Sequence, residues 1–535
     1  MCGILCLIYQ DSKPTTGENI PIHSRVNEGY LMLQNRGPDQ GIWVCAGKNV
    51  YAFRRLSIMG SGVGAKQPFR NKKGDYLMCN GEIYNYVALC EKYNIDQAVM
   101  GGSDCECLLP LYEKIGFENM ILELNGDFAI VLVTTEGFVY YARDRIGVRP
   151  LFMGTQQGGD SVAFASYARA IESWCTNVEH IQPGWGYVNV ISGESAHNQY
   201  LNLLPRALSS DLDETYKHIR DTLINSVQDR LMSDRPVGCL LSGGLDSSLV
   251  ASILCRLLGP WNVRTYSIGQ VGSEDLKMAN IAAEYLGTNH TEVTFSPEEG
   301  LASIPEVIRD LESYDITTVR ASVGMWLLAK YISKHTKDIV LLSGEGSDEL
   351  FCGYLYFHNA PSTRELGEES RRLVRNLYKY DVLRADRCIS SHGLELRVPF
   401  LDRRLVDLCL NLPPQVLEPQ EYKGVRYEKH LLRTAFGDDQ HYLPDEILWR
   451  RKDGMSDGIS GSGKRWYEQI SDYVDTLTDI PPIPNGYPSR ESWYYKCIYD
   501  GIFTRYKSEI DWWLPKWTDH GGDPSGRLIE AFEKE

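Results

Sequence analysis

The sequence predicts a chain in two parts, a strand-rich α+β front and a doubly wound α/β rear. Three observations carry this. The apolar run 237–241 leads into Ser242, Gly243, Gly244, Leu245, Asp246, Ser247 and Ser248, after which Leu249, Val250, Ile253, Leu254, Leu257 and Leu258 recur at helical spacing until Gly259 and Pro260. Further apolar runs at 263–268, 291–295 and 339–342 alternate with helical patterns, as in a parallel sheet whose ligands bind beyond the carboxyl ends of its strands. Residues 127–191 instead read as strands, at 128–133, 139–142 and 162–165, separated by Gly-rich or charged turns.

The strand, glycine loop and helix around Ser242 have the makings of an anion site, because glycines let backbone N–H groups approach and the helix N-terminus adds positive charge. A Walker-type loop would carry a lysine after its last glycine. This one has none and holds Asp246 instead, which makes sense beside phosphate if Mg²⁺ bridges the two. A second loop, Ser343, Gly344, Glu345, Gly346, Ser347, Asp348 and Glu349, follows the last apolar run. Asp246 and Asp348 are expected to share the Mg²⁺ on a pyrophosphate, leaving Glu345 for proton transfer.

At 535 residues, with 43% hydrophobic and 24% charged, the chain has core enough for two to four globular domains. A net charge of −16 argues against nucleic acid as a partner. Arg371, Arg372 and Arg375 are read as one solvated helix face. No apolar run approaches the roughly 20 residues that cross a bilayer, and no basic stretch precedes an apolar one at the start, so no membrane is expected and the cytosol is the predicted location. Fourteen cysteines in such a chain are expected to be reduced. Cys105 and Cys107 lack the second ligand pair of a structural zinc site.

Cys2 follows the initiator Met, and its small side chain permits removal of Met1. The freed α-amine, with a pKa near 8, could then take the proton of the Cys2 thiol without a histidine. Downstream come Asn35, Arg36, Gly37, Pro38 and Asp39, then Arg55, Leu56, Ser57 and Ile58, then Asn80, Gly81, Glu82, Ile83, Tyr84 and Asn85, then Gly102, Ser103 and Asp104. Asn-Gly is a strong hairpin signal, so a tight turn is expected at Asn80 and Gly81.

These residues resemble the class II glutamine amidotransferase domain, an N-terminal-nucleophile hydrolase with an αββα sandwich. The resemblance implies Cys2 as nucleophile, Asn80 and Gly81 as oxyanion hole, Arg55 on the glutamine α-carboxylate and Asp104 on its α-amine. It also implies Leu56, Ser57, Ile58, Met59 and Glu82 as further glutamine contacts. A planar Arg fork on a carboxylate and amide donors on an oxyanion are the chemistry such roles require.

The two acidic loops, together with the run 314–322, Gly353 to His358, Arg384 to Arg387, Glu395 to Asp402, Trp449 to Lys452 and Ser456 to Gly458, resemble the ATP-pyrophosphatase domain of the glutamine-hydrolysing asparagine synthetases. That resemblance covers nearly the whole chain. It implies Leu240, Ser242, Gly243, Gly244, Asp246, Ser247, Ile268, Ser343, Gly344 and Lys452 at ATP or pyrophosphate, and Thr317, Thr318 and Arg320 at aspartate or the acyl-adenylate; a plain salt bridge is the other reading of Arg320. The implied ligands are ATP with Mg²⁺, L-aspartate and L-glutamine, with no organic cofactor, and a homodimer is left open. A β-lactam synthetase-like enzyme or an amidotransferase acting on another carboxylate are the alternatives. The glutaminase part is placed at 1–195, a linker at 196–212 and the synthetase part at 213–535. The block from Arg143 to Pro150 reads as a solvated loop or an interface segment, and the tail from Asp511 to Trp517 is expected to pack on the synthetase part.

Overall fold

The computed structural model describes the chain except residues 10–19, 61–64, 97–101, 157–158, 160, 201–210, 438–439, 452–457, 462, 508–509 and 519–535. Its front half carries two six-stranded antiparallel sheets. One runs β10 (Cys175–His180), β8 (Phe152–Gln156), β9 (Ser161–Ala165), β1 (Gly3–Tyr9), β3 (Asn49–Arg55), β2 (Gln40–Ala46). The other runs β12 (Ser195–Asn198), β11 (Gly184–Asn189), β7 (Phe138–Arg143), β6 (Gly126–Val133), β5 (Tyr76–Ile83), β4 (Phe69–Arg70).

Alternation along the strands explains the layering. Ile4, Cys6, Tyr51 and Phe53 of the first sheet meet Met78, Ala129 and Val131 of the second in one core. The intervening residues face outward to helices: Leu5 and Leu7 pack in a core with Val26 of the helix Ile20–Met32, and Leu77 and Cys79 pack with the helices Leu108–Ile115 and Phe117–Glu123. Both faces of each sheet are therefore buried, which is the expected αββα arrangement.

The rear half holds a five-stranded parallel sheet, ordered β15 (Asn289–Thr294), β14 (Arg264–Gly269), β13 (Val237–Leu240), β16 (Val340–Leu342), β17 (Glu395–Arg397). The helix Leu245–Leu258 follows β13, as its apolar spacing predicts. Strand order reverses between β13 and β16, so the crevice at the switch point opens where the Ser242 and Ser343 loops leave the sheet. β17 has only three residues, too few for a periodic signal.

Several expectations need correction. Asn80 and Gly81 are not in a turn: they lie inside β5, opposite Ala129 and Phe128 of β6. β12 carries the second sheet to Asn198, into the stretch read as linker from 196, and the next helix already begins at Leu212 with Asp211 as its cap. The remaining linker, 201–210, lies outside the described residues. The Arg371, Arg372 and Arg375 cluster is not simply solvated, since Arg372 pairs with fully buried Glu369 and Arg371 donates to the Leu410 carbonyl. Of the two readings of the Arg143–Pro150 block, the interface segment fits: all of it but half-buried Arg145 is buried, and Arg149 donates across the interface to the Leu396 carbonyl of β17.

The tail packs as expected. Trp512 meets Tyr314, Trp513 meets Tyr354, and Trp517 meets Tyr356 and Phe357. Among the described residues, no helix is long and apolar enough to cross a membrane. All fourteen cysteines are free thiols.

Candidate active sites

The first site lies where β1 begins. The backbone N–H of Cys2 donates to Asn80 Oδ1 at 2.8 Å, and its Sγ lies 3.8 Å from the Leu56 carbonyl. Burial pushes the Cys2 thiol up to about 11, so as it stands the sulfur is a protonated thiol. Asn80 is fully buried, and its Nδ2 has no hydrogen-bond partner among the described residues. An unsatisfied buried donor beside a thiol is what an oxyanion hole requires. Gly81 stands next to it for a steric reason: a Cβ there would lie 2.1 Å from the Asp127 carbonyl oxygen. Its register partner Phe128 turns both its N–H and its carbonyl to Asp144, so β6 makes no ladder bond to Gly81 through Phe128.

Arg55, at the end of β3, is buried and donates to the Met59 carbonyl at 2.9 Å and to the Gly60 carbonyl. The same loop is tied down by Ser57 N–H on Asp39 and Gly60 N–H on Asp234. Leu56 and Ile58 are buried, and Met59 is half-buried. Asp104 accepts the Ile83 N–H at 2.6 Å, and burial raises its carboxyl to about 6. Glu82 is also driven well above its ordinary value by burial and by Asp104, with Arg397 opposing at 3.7 Å.

Met1 is fully buried, and its ammonium stands 3.5 Å from Glu395 of β17. Arg36 joins the two halves here, donating to the Cys2 carbonyl at 2.9 Å and to Asp386 at 2.7 Å. β17 thus touches both sites. Glu395 faces the N-terminus, while two residues on the Arg397 carbonyl accepts the Ser343 N–H at 3.1 Å.

The second site is a cavity of about 130 Å³ at the switch point. Leu240, Ser242, Gly244, Asp246, Ser247, Ser343, Gly344, Glu345 and Asp348 line it, so most of the sequence-predicted residues converge. Ser347 Oγ ties the two loops by donating to Asp246 at 2.7 Å. Gly243 supplies the turn, at φ +70°. Glu345 is held by Arg384 at 2.8 Å; burial raises its carboxyl and Arg384 pulls it back.

Five expected residues fare differently. Ile268 is buried in β14 and is absent from the cavity wall. Arg320 is also absent from it: its Nε and Nη2 engage Glu491 at 2.8 and 2.6 Å, both side chains buried, so the salt-bridge reading holds. The Thr318 hydroxyl donates to Asp315 as part of the helix cap, whereas the buried Thr317 hydroxyl has no partner among the described residues. Lys452 lies outside the described residues.

Sequence reasoning missed Lys429. Its Nζ stands 2.6 Å from Asp246 and 2.8 Å from Asp348, supplying from a distant loop the cation that the glycine loop lacks. Gly353 makes room for it, because a Cβ there would fall 1.9 Å from Lys429 Cε. Glu428, Arg433, Arg450 and Arg451 complete this wall. No glycine or fixed spacing marks 428–433; only folding brings it to the loops.

The pattern of the Asparagine synthase family matches residues 218–373 and 360–518, and that of the Glutamine amidotransferase domain matches 1–185. The chain belongs to the asparagine synthase family. Glutamine-hydrolyzing asparagine synthetase of Gallus gallus is 39% identical, covering 100% of this chain and 99% of its own length. Those of Rattus norvegicus and Homo sapiens are each 40% identical, covering 94% of this chain and 95% of their own. Both candidate sites therefore fall within the stretches that define the family, Cys2 and Asn80 in the amidotransferase part and both acidic loops in the synthase part.

Proposed function

We propose that this chain makes L-asparagine from L-aspartate and ATP, with nitrogen taken from L-glutamine. The observation that carries the reading is that β17 joins an unsatisfied oxyanion donor beside a nucleophilic thiol to a double acidic loop at a switch point. In this reading the glutaminase part runs through β12 to 198, the linker spans 199–211 and the synthetase part starts with the helix Leu212–Asp229. The reaction is placed in the cytosol, where fourteen free thiols persist.

Removal of Met1 leaves the Cys2 nitrogen as an amine in place of an amide. That amine takes the Sγ proton, and the thiolate attacks the side-chain carbonyl carbon of glutamine. Asn80 Nδ2 and the Gly81 N–H hold the resulting oxyanion, Arg55 and Asp104 grip the α-carboxylate and α-amine, and residues 56–59 with Glu82 wall the pocket. Ammonia leaves as the thioester forms, and water then releases glutamate. The buried volume that Met1 fills, beside Arg36, Arg149 and Glu395, becomes the start of a dry route along β17.

In the synthetase cavity, an aspartate side-chain oxygen attacks the α-phosphorus of ATP and the bond to pyrophosphate breaks, giving β-aspartyl-AMP. The nitrogen lone pair of ammonia attacks the acyl carbon, AMP departs with the bonding pair, and Glu345 accepts the surplus proton. Ser242, Gly243, Gly244, Ser247, Ser343, Gly344 and Lys452 cradle phosphates, and Thr317, whose hydroxyl has no partner among the described residues though it is absent from the cavity wall, is the remaining candidate for the acyl group. Thr318 and Arg320, held by internal partners, are assigned no contact.

Asp246 and Asp348 converge on one point, the Lys429 ammonium, so their oxygens suit Mg²⁺. These two carboxylates would hold the ion, which would screen the charge on the ATP phosphates.

Cys2→Ala tests the whole. It should abolish glutamine-dependent synthesis and spare ammonia-dependent formation of asparagine, AMP and pyrophosphate. Loss of both activities, or ADP in place of AMP, would overturn the reading.

A further inference from the structure

A cavity of about 400 Å³, lined by none of the residues that line the Ser242 and Ser343 cavity, opens between the two halves. Its size is that of a small-molecule site. Arg145 enters it from the front half, and Arg371, Arg375 and Lys379 enter from the rear. Asp407 is its sole carboxylate among the described residues. A chain of net charge −16 thus gathers four cations against one acid in a single cleft.

Those cations are under-neutralised. Arg145 pairs with Asp407, but Asp407 is also shared with Arg403 at 3.9 Å. Burial lowers the Arg145 guanidinium and raises the Asp407 carboxyl, so each is poorly compensated by the other. Arg371 spends one N–H on the Leu410 carbonyl, and Lys379 reaches Asp511 at 3.0 Å. Arg375 is exposed and has no partner among the described residues. Tyr200 and Tyr378 supply ring faces to the same cavity, with the Arg145 guanidinium 5.8 Å from the Tyr200 ring centre.

We propose that this cleft binds a small polyanion, a metabolite carrying at least two negative charges on phosphate groups, gripped by Arg145 from one half and by Arg371 and Arg375 from the other. Arginine forks match phosphate oxygens in pairs. The ligand is small because a cleft of about 400 Å³ holds a small molecule, and the net charge of −16 disfavours an extended polyanion. A ligand spanning both halves would hold them together and link their two activities.

The test is calorimetric titration of the full chain with inorganic tripolyphosphate at low salt, comparing wild type, Arg375→Gln, Arg371→Gln/Arg375→Gln and Lys429→Met. Lys429→Met removes the cation of the synthetase loops and separates that site from the cleft. The expected result is a binding event that persists in Lys429→Met, weakens about tenfold in Arg375→Gln and disappears in the double variant, as loss of charge-assisted contacts predicts. Absence of binding to wild type, or binding lost in Lys429→Met and unchanged in Arg375→Gln, would overturn the proposal. Arg375 holds no internal contact, so Arg375→Gln decides the matter even where the double variant folds poorly.

Discussion

Lys429 Nζ lies 2.6 Å from the Asp246 carboxylate, although 183 residues separate them. The contact places a cation on a glycine loop that carries none, and Asp348 shares it at 2.8 Å. Lys429→Met should lower ammonia-dependent AMP formation by about 10²–10³-fold, the loss typical for one charged group at a developing phosphate charge. Glutaminase turnover at Cys2 should not change, because Lys429 belongs to the other cavity. Parallel assays of glutamate and AMP on the variant check both halves.

Arg384 grips Glu345 and Asp381 at 2.8 and 2.6 Å and so opposes the burial that destabilises the Glu345 carboxylate. Burial raises the Glu345 carboxyl and Arg384 opposes that rise. Removing the guanidinium in Arg384→Gln therefore favours the protonated acid. A protonated Glu345 cannot accept the proton from ammonia, so the acid limb of the pH profile for ammonia-dependent turnover should move to higher pH. An unshifted limb would show that Glu345 is not the group titrating.

These relationships differ in how far they could be read beforehand. Local pattern was legible: the apolar spacing after Asp246 marks the helix Leu245–Leu258, and the two acidic loops sit at strand ends because β13 and β16 are visible as apolar runs. Where one signal serves two structures, the reading failed, as at Asn80 and Gly81, where a hairpin dipeptide forms the interior of β5. Long-range partners were the least legible. Arg320 meets Glu491 across 171 residues, and Lys429 meets Asp246 across 183, and neither pairing leaves a periodic trace. Short β17, which ties the sites together, has no pattern of its own.

Gly81→Ala tests the oxyanion donors without touching the nucleophile. The added methyl would fall 2.1 Å from the Asp127 carbonyl oxygen, which is backbone and cannot turn aside. β5 must shift, and the neighbouring Asn80 Nδ2 shifts with it. Glutamine hydrolysis should fall by about 10²–10³-fold, with stability lowered by about 1–3 kcal/mol as for other overpacked sites. Ammonia-dependent synthesis should persist, and comparison of the two nitrogen donors at a temperature below the unfolding midpoint reads the difference.

Glu395 faces an acid test of its own at the domain boundary. Burial alone would raise its carboxyl, yet in the chain that retains Met1, the form to be tested, Arg397, the Met1 ammonium and Arg149 outweigh burial and hold it at about 2, against an ordinary value of 4.5. A carboxyl depressed in the folded state binds its proton more readily once unfolded. Its contribution is therefore complete above about pH 4.5 and is lost as pH falls toward 2. Glu395→Gln should destabilise the protein by about 3–5 kcal/mol at pH 7, since it takes the paired carboxylate from buried Arg397 and leaves Arg149 with Asp386 alone. The gap between wild type and variant should narrow steadily below pH 4.5, which urea unfolding of both proteins at pH 7, 4 and 3 would measure. A gap that stays constant with pH would mean that Glu395 acts through its shape and hydrogen bonds rather than its charge.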